Sequence, residues 1–243
     1  MKKVLRLMLV LCFFWVPNFI FAQVFQDLNF NSANVSSPDY LQRVPFANAF
    51  PGWSSSSSMA YYNASDMDQM TIGVYDKSAG IYSWGPHPVL GPIGYTAYLE
   101  GDLSYGVFSG SVGIWQTGVI PANAKSIQFY STIAYGSALP GYSPTLSLIL
   151  NGMPVSYSQI GTSGAFTQWA ADVSAYAGTA TSLEFEVSAT YPYSDPLDPH
   201  WIFGVGIDNI SFSTTPIPEP CTVTLFVFGL LFPTSKLIRK SIS

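Results

Sequence analysis

From Gln23 to Ser213 the chain shows no sustained 3.6-residue periodicity. Its apolar residues come in short alternating or β-rich runs broken by Gly, Pro, Asn and Ser. This pattern limits the fold more than any other feature. Period-two runs bury one face of a strand, and frequent turn residues bring successive strands together. In Ser182–Ser188 the residues Leu183, Phe185 and Val187 point one way and Glu184 and Glu186 the other. Lys125–Tyr135 is a second run, with Ile127, Phe129 and Ser131 opposite Gln128 and Tyr130. Thr145–Leu150 and Pro154–Tyr157 flank Asn151-Gly152, a strong hairpin signal, and Met153-Pro154 is expected to widen that loop. Trp201–Phe212 reads as the last strand, with Ile207, Ile210 and Phe212 as core candidates. Spaced strands of this kind make a sandwich or barrel. No internal repeat is visible, so the body reads as one domain.

Charge divides the chain into ends and body. Of 9 basic residues, Lys2, Lys3, Arg6, Lys236, Arg239 and Lys240 lie in the two end segments, leaving Arg43, Lys77 and Lys125 in the body. Every acidic residue except Glu219 lies in the body. An acidic body of this kind does not suit nucleic acid, whose phosphates need a basic surface. Cys12 and Cys221 also sit in the end segments. The body therefore has no disulfide or thiolate metal site and must rest on its core.

Residues 1–22 have the three parts of a secretory signal. Lys2, Lys3 and Arg6 form the basic start, and Leu7–Val16 is an apolar run too short to span a bilayer comfortably. Ala22 is a small residue at the expected cut before Gln23. An uncleaved anchor is the alternative. Cys12 does not suit lipidation, because Leu11 precedes it and the apolar run continues beyond it.

The other end runs from a Pro-rich stalk at 214–220 into an apolar segment, Cys221–Phe232, and a basic terminus within 221–243. The prolines keep the stalk extended and accessible. With Lys236 snorkelling, a helix reaching Ile238 would span roughly 27 Å, about one bilayer core. Its basic end would stay cytoplasmic. Pro218-Glu219-Pro220, one apolar segment and a basic end resemble the PEP-CTERM sorting signal. The resemblance implies signal peptidase and an exosortase as processing partners. It also implies transient inner-membrane anchoring and delivery to the cell surface or extracellular matrix of a bacterium with an exosortase. A retained single-pass anchor is the alternative.

Several body segments resemble galactose-binding-like jelly-roll domains. Leu28-Asn29-Phe30-Asn31 resembles their opening strand and Phe50-Pro51-Gly52-Trp53 the turn after the first loop. Tyr95–Gly101 and Ile114–Thr117 resemble paired inner strands, Trp169–Gly178 the turn before the penultimate strand, and Ile207–Ile210 the closing strand. Ser54–Ser58 reads as a loop tip. The resemblance implies an all-β, single antiparallel jelly-roll β-sandwich over 23–213, between an N-terminal signal helix and a C-terminal transmembrane helix. It also implies a structural calcium at Asp208, with Asn29 or Asn31 beside it.

Little in the body suggests catalysis. His87 and His200 lie in Pro-rich loops without triad companions, and no G-x-S-x-G elbow is present. Asp66/Asp68 and Asp195/Asp198 form no EF-hand loop. Glu184 and Glu186 stand roughly 7 Å apart on one strand face, a spacing open to glycoside hydrolysis. A solvated sandwich face accounts for the same alternation. No cofactor other than calcium is indicated. Tyr61, Tyr62, Tyr82, Trp84, Tyr191 and Tyr193 fall in loop-like stretches and are the candidates for exposed, sugar-stacking rings. The expectation is a non-enzymatic surface or matrix protein with a structural or adhesive role near exopolysaccharide. A carbohydrate-binding module with a defined glycan and a glycoside hydrolase are the alternatives.

Overall fold

The computed structural model describes residues 23–63, 71–77, 94–103, 109–135, 144–190 and 201–217. Thirteen strands in these segments form two sheets that pack face to face as a β-sandwich. They are β1 (Arg43–Pro45), β2 (Ser54–Ser55), β3 (Met59–Tyr62), β4 (Thr71–Asp76), β5 (Tyr95–Leu103), β6 (Ser109–Val119) and β7 (Ser126–Tyr135). β8 (Thr145–Leu150), β9 (Met153–Val155), β10 (Tyr157–Ser163), β11 (Phe166–Asp172), β12 (Ala180–Thr190) and β13 (Trp201–Ser213) complete the set. One sheet has the order β1-β3-β4-β5-β13-β7-β11-β10 and the other β2-β6-β12-β8-β9. From β5 to β8, and again from β11 to β13, the chain changes sheet at every step. β3 and β4 pair in parallel, so the sandwich is not purely antiparallel as expected.

The alternation read from β12 sets the inside of the molecule. Leu183, Phe185 and Val187 are fully buried, and Phe185 meets Phe129 of β7 across the gap, edge to face at 5.0 Å. Ile72, Val74, Ala97, Leu99, Ile127 and Ile207 line the larger sheet's inner face, and Val112, Ile114, Leu148 and Leu150 the smaller sheet's. Phe30, Phe46, Phe50 and Trp53 form an aromatic cluster continuous with this core. Fully burying one such ring stabilises the fold by roughly 1.5–3 kcal/mol.

Local chemistry sets the turns. Leu150 pairs with Met153, so the hairpin has a two-residue loop and is not widened. Asn151 and Gly152 both have positive φ, at 50° and 76°, as a type I′ turn requires. Pro154, which cannot donate to a ladder, lies on edge strand β9. Four expected elements differ. Residues 28–31 form turns rather than an opening strand. Ser54–Ser55 pair with β6 instead of forming a loop tip. β5 and β6 lie in different sheets and do not pair. Tyr61 and Tyr62 belong to β3 rather than to a loop. No helix among the described residues is long and apolar enough to cross a membrane. The expected terminal helices lie outside the described residues.

Candidate functional site

Tyr61 is buried within β3, opposite Arg43 and Gly73 on its neighbouring strands. Tyr62 is half-buried, packs on the core and meets the Tyr95 ring at 6.5 Å. Burial, and secondarily Asp76, push the Tyr62 hydroxyl above its ordinary range. Neither ring is an open stacking platform. Tyr82, Trp84, Tyr191, Tyr193, Ala22 and the motif Pro218-Glu219-Pro220 lie outside the described residues, as do both histidines. Gln23 is described: its carbonyl accepts the Val119 N–H of β6 at 2.9 Å.

Each expected calcium donor has a hydrogen-bond or ionic partner of its own. Asp208 is fully buried, and its Oδ2 takes the Lys77 ammonium at 2.8 Å and the Thr96 hydroxyl at 2.9 Å. Its Oδ1 accepts the Asn209 N–H at 2.7 Å. Asn29 Oδ1 accepts the Asn31 N–H, and Asn31 Oδ1 accepts the Tyr95 N–H, each at 3.3 Å. Calcium needs six to eight oxygens around one point. Here the anionic member already faces a cation, so these three residues do not fit the ion as a set. No group of three or more His, Cys, Asp or Glu suited to a metal occurs among the described residues.

Sequence reading passed over Asp27. It lines an open groove of about 710 Å³ with Asn29, Ser32, Tyr130, Gln168 and Asn209. Its Oδ1 accepts the Ser32 N–H at 3.0 Å, while Oδ2 is buried without a hydrogen-bond partner. Burial pushes this carboxyl above its ordinary range against the pull of its hydrogen bonds.

The larger sheet's outer face carries a buried polar and aromatic layer. Tyr98 lies in register with Gly73 on one side and Gly206 on the other. A Cβ at Gly206 would stand 2.7 Å from the Tyr98 ring, so a side chain there would displace the tyrosine. Tyr75 meets Tyr98 edge to face at 5.1 Å, and its hydroxyl donates to Glu100 Oε2 at 3.4 Å. Two buried carboxylates, Glu100 and Asp208, share this face. Asp208 bonds Thr96, and Glu100 lies four residues further along the same strand, roughly 13 Å away.

The smaller sheet's outer face is different. Pairing sets Ser54, Trp115, Glu184, Ile149 and Pro154 side by side across all five strands, with Gly113, Glu186 and Ser147 in the next outward-facing row. Trp115, Glu184 and Glu186 are half-buried. Gly113 has no side chain and is buried, and a Cβ there would come within 3.1 Å of the Phe185 carbonyl and 3.3 Å of Glu184 Oε1, so the glycine lets the Glu184 carboxylate lie close over the sheet. Burial first, then the neighbouring Glu186 carboxylate, push the Glu184 carboxyl above its ordinary range. The two rows thus combine an aromatic ring with two hydrogen-bond-accepting carboxylates and flanking hydroxyls. Strand parity alone could have placed Trp115 outward, because it must face away from its core neighbour Ile114.

No family model and no curated protein matches the chain. Among solved structures, a carbohydrate-binding module described for specific mannan recognition is similar at 14% identity and a TM-score of 0.34, over 70% of this chain and 94% of that one. An arabinose-bound α-L-arabinofuranosidase is similar at 13% identity and a TM-score of 0.33. That match covers 79% of this chain and 26% of the arabinofuranosidase, so the chain spans about a quarter of that enzyme's length.

Proposed function

We propose that the chain is an exported, non-enzymatic protein of the cell surface or extracellular matrix, with a structural or adhesive role in direct contact with exopolysaccharide. The observation that carries the contact is the half-buried row Trp115–Glu184–Ile149 on the smaller sheet's outer face, with Glu186 in the row beside it. An indole face stacks on the C–H face of a sugar, and carboxylates accept hydrogen bonds from its hydroxyls. A row five strands wide, with strands ~4.8 Å apart, matches an extended chain of several sugar units. The two carboxylates would repel an anionic polymer, so the ligand is a neutral glycan. The chain's alternation between sheets supports the jelly-roll reading of the sandwich.

Export and sorting rest on the two ends. Residues 1–22 act as the signal peptide, and Pro218-Glu219-Pro220 with its apolar segment and basic terminus is the exosortase substrate. In cells with and without the exosortase, the full chain should shift from the envelope to the outer fraction only when the enzyme is present. Replacing Pro218, Glu219 and Pro220 together should block that shift. Unchanged fractionation in both comparisons would refute the sorting role.

The glycan contact is tested by an array of neutral and acidic glycans probed with the mature protein. Binding to neutral chains should be lost in Trp115→Ala and kept in Tyr62→Phe. Turnover of a bound glycan, abolished in Glu184→Gln, would overturn the non-enzymatic reading in favour of a hydrolase.

A further inference from the structure

Lys77 and Asp208 lie far apart in the sequence and have no local relation. Lys77 directly follows β4, Asp208 sits in β13, and β5 runs between those strands. Their side chains are 3% and 0% exposed, and Nζ stands 2.8 Å from Oδ2. Lys77 is further fixed by its own N–H, which donates to the Gly94 carbonyl at 2.8 Å. Such a pair can stay ionic or lose water to become an amide. We infer that the Lys77 side chain condenses with the Asp208 carboxyl to form an intramolecular isopeptide bond.

The surroundings supply each step. Lys77 Nζ first passes a proton to Asp208 Oδ2, leaving a neutral amine beside a neutral acid. Burial favours the protonated acid, since it pushes the Asp208 carboxyl upward against the opposing pull of Lys77, Thr96 and the Asn209 N–H. The amine then attacks Cγ. Negative charge develops on Oδ1, where the Asn209 N–H already donates at 2.7 Å. Collapse breaks the Cγ–Oδ2 bond and expels Oδ2 as water. The second proton that the water needs comes from Nζ, relayed by the Thr96 hydroxyl, which contacts Oδ2 at 2.9 Å. One C–N bond forms, one C–O bond breaks and one water leaves, with no oxidant or other reactant.

Two features favour the reaction. Nζ already stands 2.8 Å from Oδ2, one bond from the carbon it attacks, and well-oriented intramolecular pairs reach effective molarities on the order of 10⁵–10⁸ M. Burial of both side chains also shields the bond from bulk water and so from hydrolysis. The bond would brace a body with no cysteine. It would tie β13, the strand that leads into the stalk, to β4 on the far side of β5.

The test is the intact mass of the mature protein recovered from cells that export the full chain, followed by tryptic mapping after denaturation. The mass should fall short of the sequence by one water. The peptide ending at Lys77 should be missing, because trypsin does not cut after an acylated lysine, and the longer peptide Val44–Lys125 should appear joined to the peptide containing Asp208. Lys77→Arg and Asp208→Ala should restore the full sequence mass. Cyclisation of a new N-terminal Gln23 would remove ammonia rather than water and would map to the N-terminal peptide. Full mass in the wild type, with the Lys77 peptide recovered free, overturns the proposal even if both variants fail to fold. A one-water deficit that persists in Lys77→Arg overturns it equally.

Discussion

Replacing Phe185 with Ala tests how β12 divides the molecule. Phe185 is fully buried on the inner face of the smaller sheet, with the Phe129 ring 5.0 Å away. Removing the ring loses its transfer free energy and leaves a cavity that the two sheets can close only in part. Such truncations cost about 3–5 kcal/mol. Loss of the edge-to-face pair with Phe129, worth about 0.5–1.5 kcal/mol, belongs inside that range. Domains of this size have roughly 5–15 kcal/mol in total, so the variant should be close to unfolding at 37 °C. At about 2–4 °C per kcal/mol, the melting point should fall by about 6–20 °C. The control is one residue away. Glu184 is on the outer face, so Glu184→Ala should change stability by no more than about 0.5 kcal/mol. Urea unfolding followed by tryptophan fluorescence reads both variants. Equal effects at 184 and 185, or a cost below about 1 kcal/mol for Phe185→Ala, would refute the assigned faces of β12 and the position of the core.

Three further outcomes follow from single sites. Asp27→Asn should stabilise the protein at neutral pH. The folded-state pKa of Asp27 lies above its unfolded value, so the wild type loses stability as pH rises through the unfolded and then the folded value, and the amide does not. Chemical denaturation at pH 7 and at pH 3 would show the gain at the higher pH only; an equal gain at both would contradict the burial account. Gly206→Ala should cost about 1–3 kcal/mol, because its Cβ would lie 2.7 Å from the Tyr98 ring and 2.9 Å from Thr132 Cγ2. The loss should shrink when Tyr98→Leu is added. Gly152→Ala should cost about 1 kcal/mol through φ +76° alone, since nothing lies within 4 Å of its Cβ position.

The parts of the fold legible in sequence are those set by neighbours along the chain. The β12 alternation placed Leu183, Phe185 and Val187 inside, and Asn151-Gly152 marked its hairpin, because each signal lies within a few residues. β13 shows where parity fails. Ile207 and Ile210 are both buried although their numbers differ by an odd step. A register shift between Asp208 and Ser211, with Asn209 at φ 49°, inserts the extra residue that reconciles them. β1 and β2, three and two residues long, are too short for periodicity to show. Tyr61 and Tyr62 looked loop-like beside the serines and Asn63, yet β3 lies between β1 and β4, and the neighbouring strands cover Tyr61. The Lys77–Asp208 contact joins residues that share no local signal, so only the folded sheet brings them together. Trp115 was legible as a strand residue, but its outward row required the cross-strand register.

The central claim is that the smaller sheet's outer face holds a neutral glycan. Affinity electrophoresis of the mature protein through gels containing exopolysaccharide from the producing cells tests it directly. Retardation should be marked for the wild type, lost in Trp115→Ala and at least tenfold weaker in Glu184→Ala, with both variants melting near the wild type. Equal retardation of wild type and Trp115→Ala, or none for either in any neutral polysaccharide gel, would contradict the account.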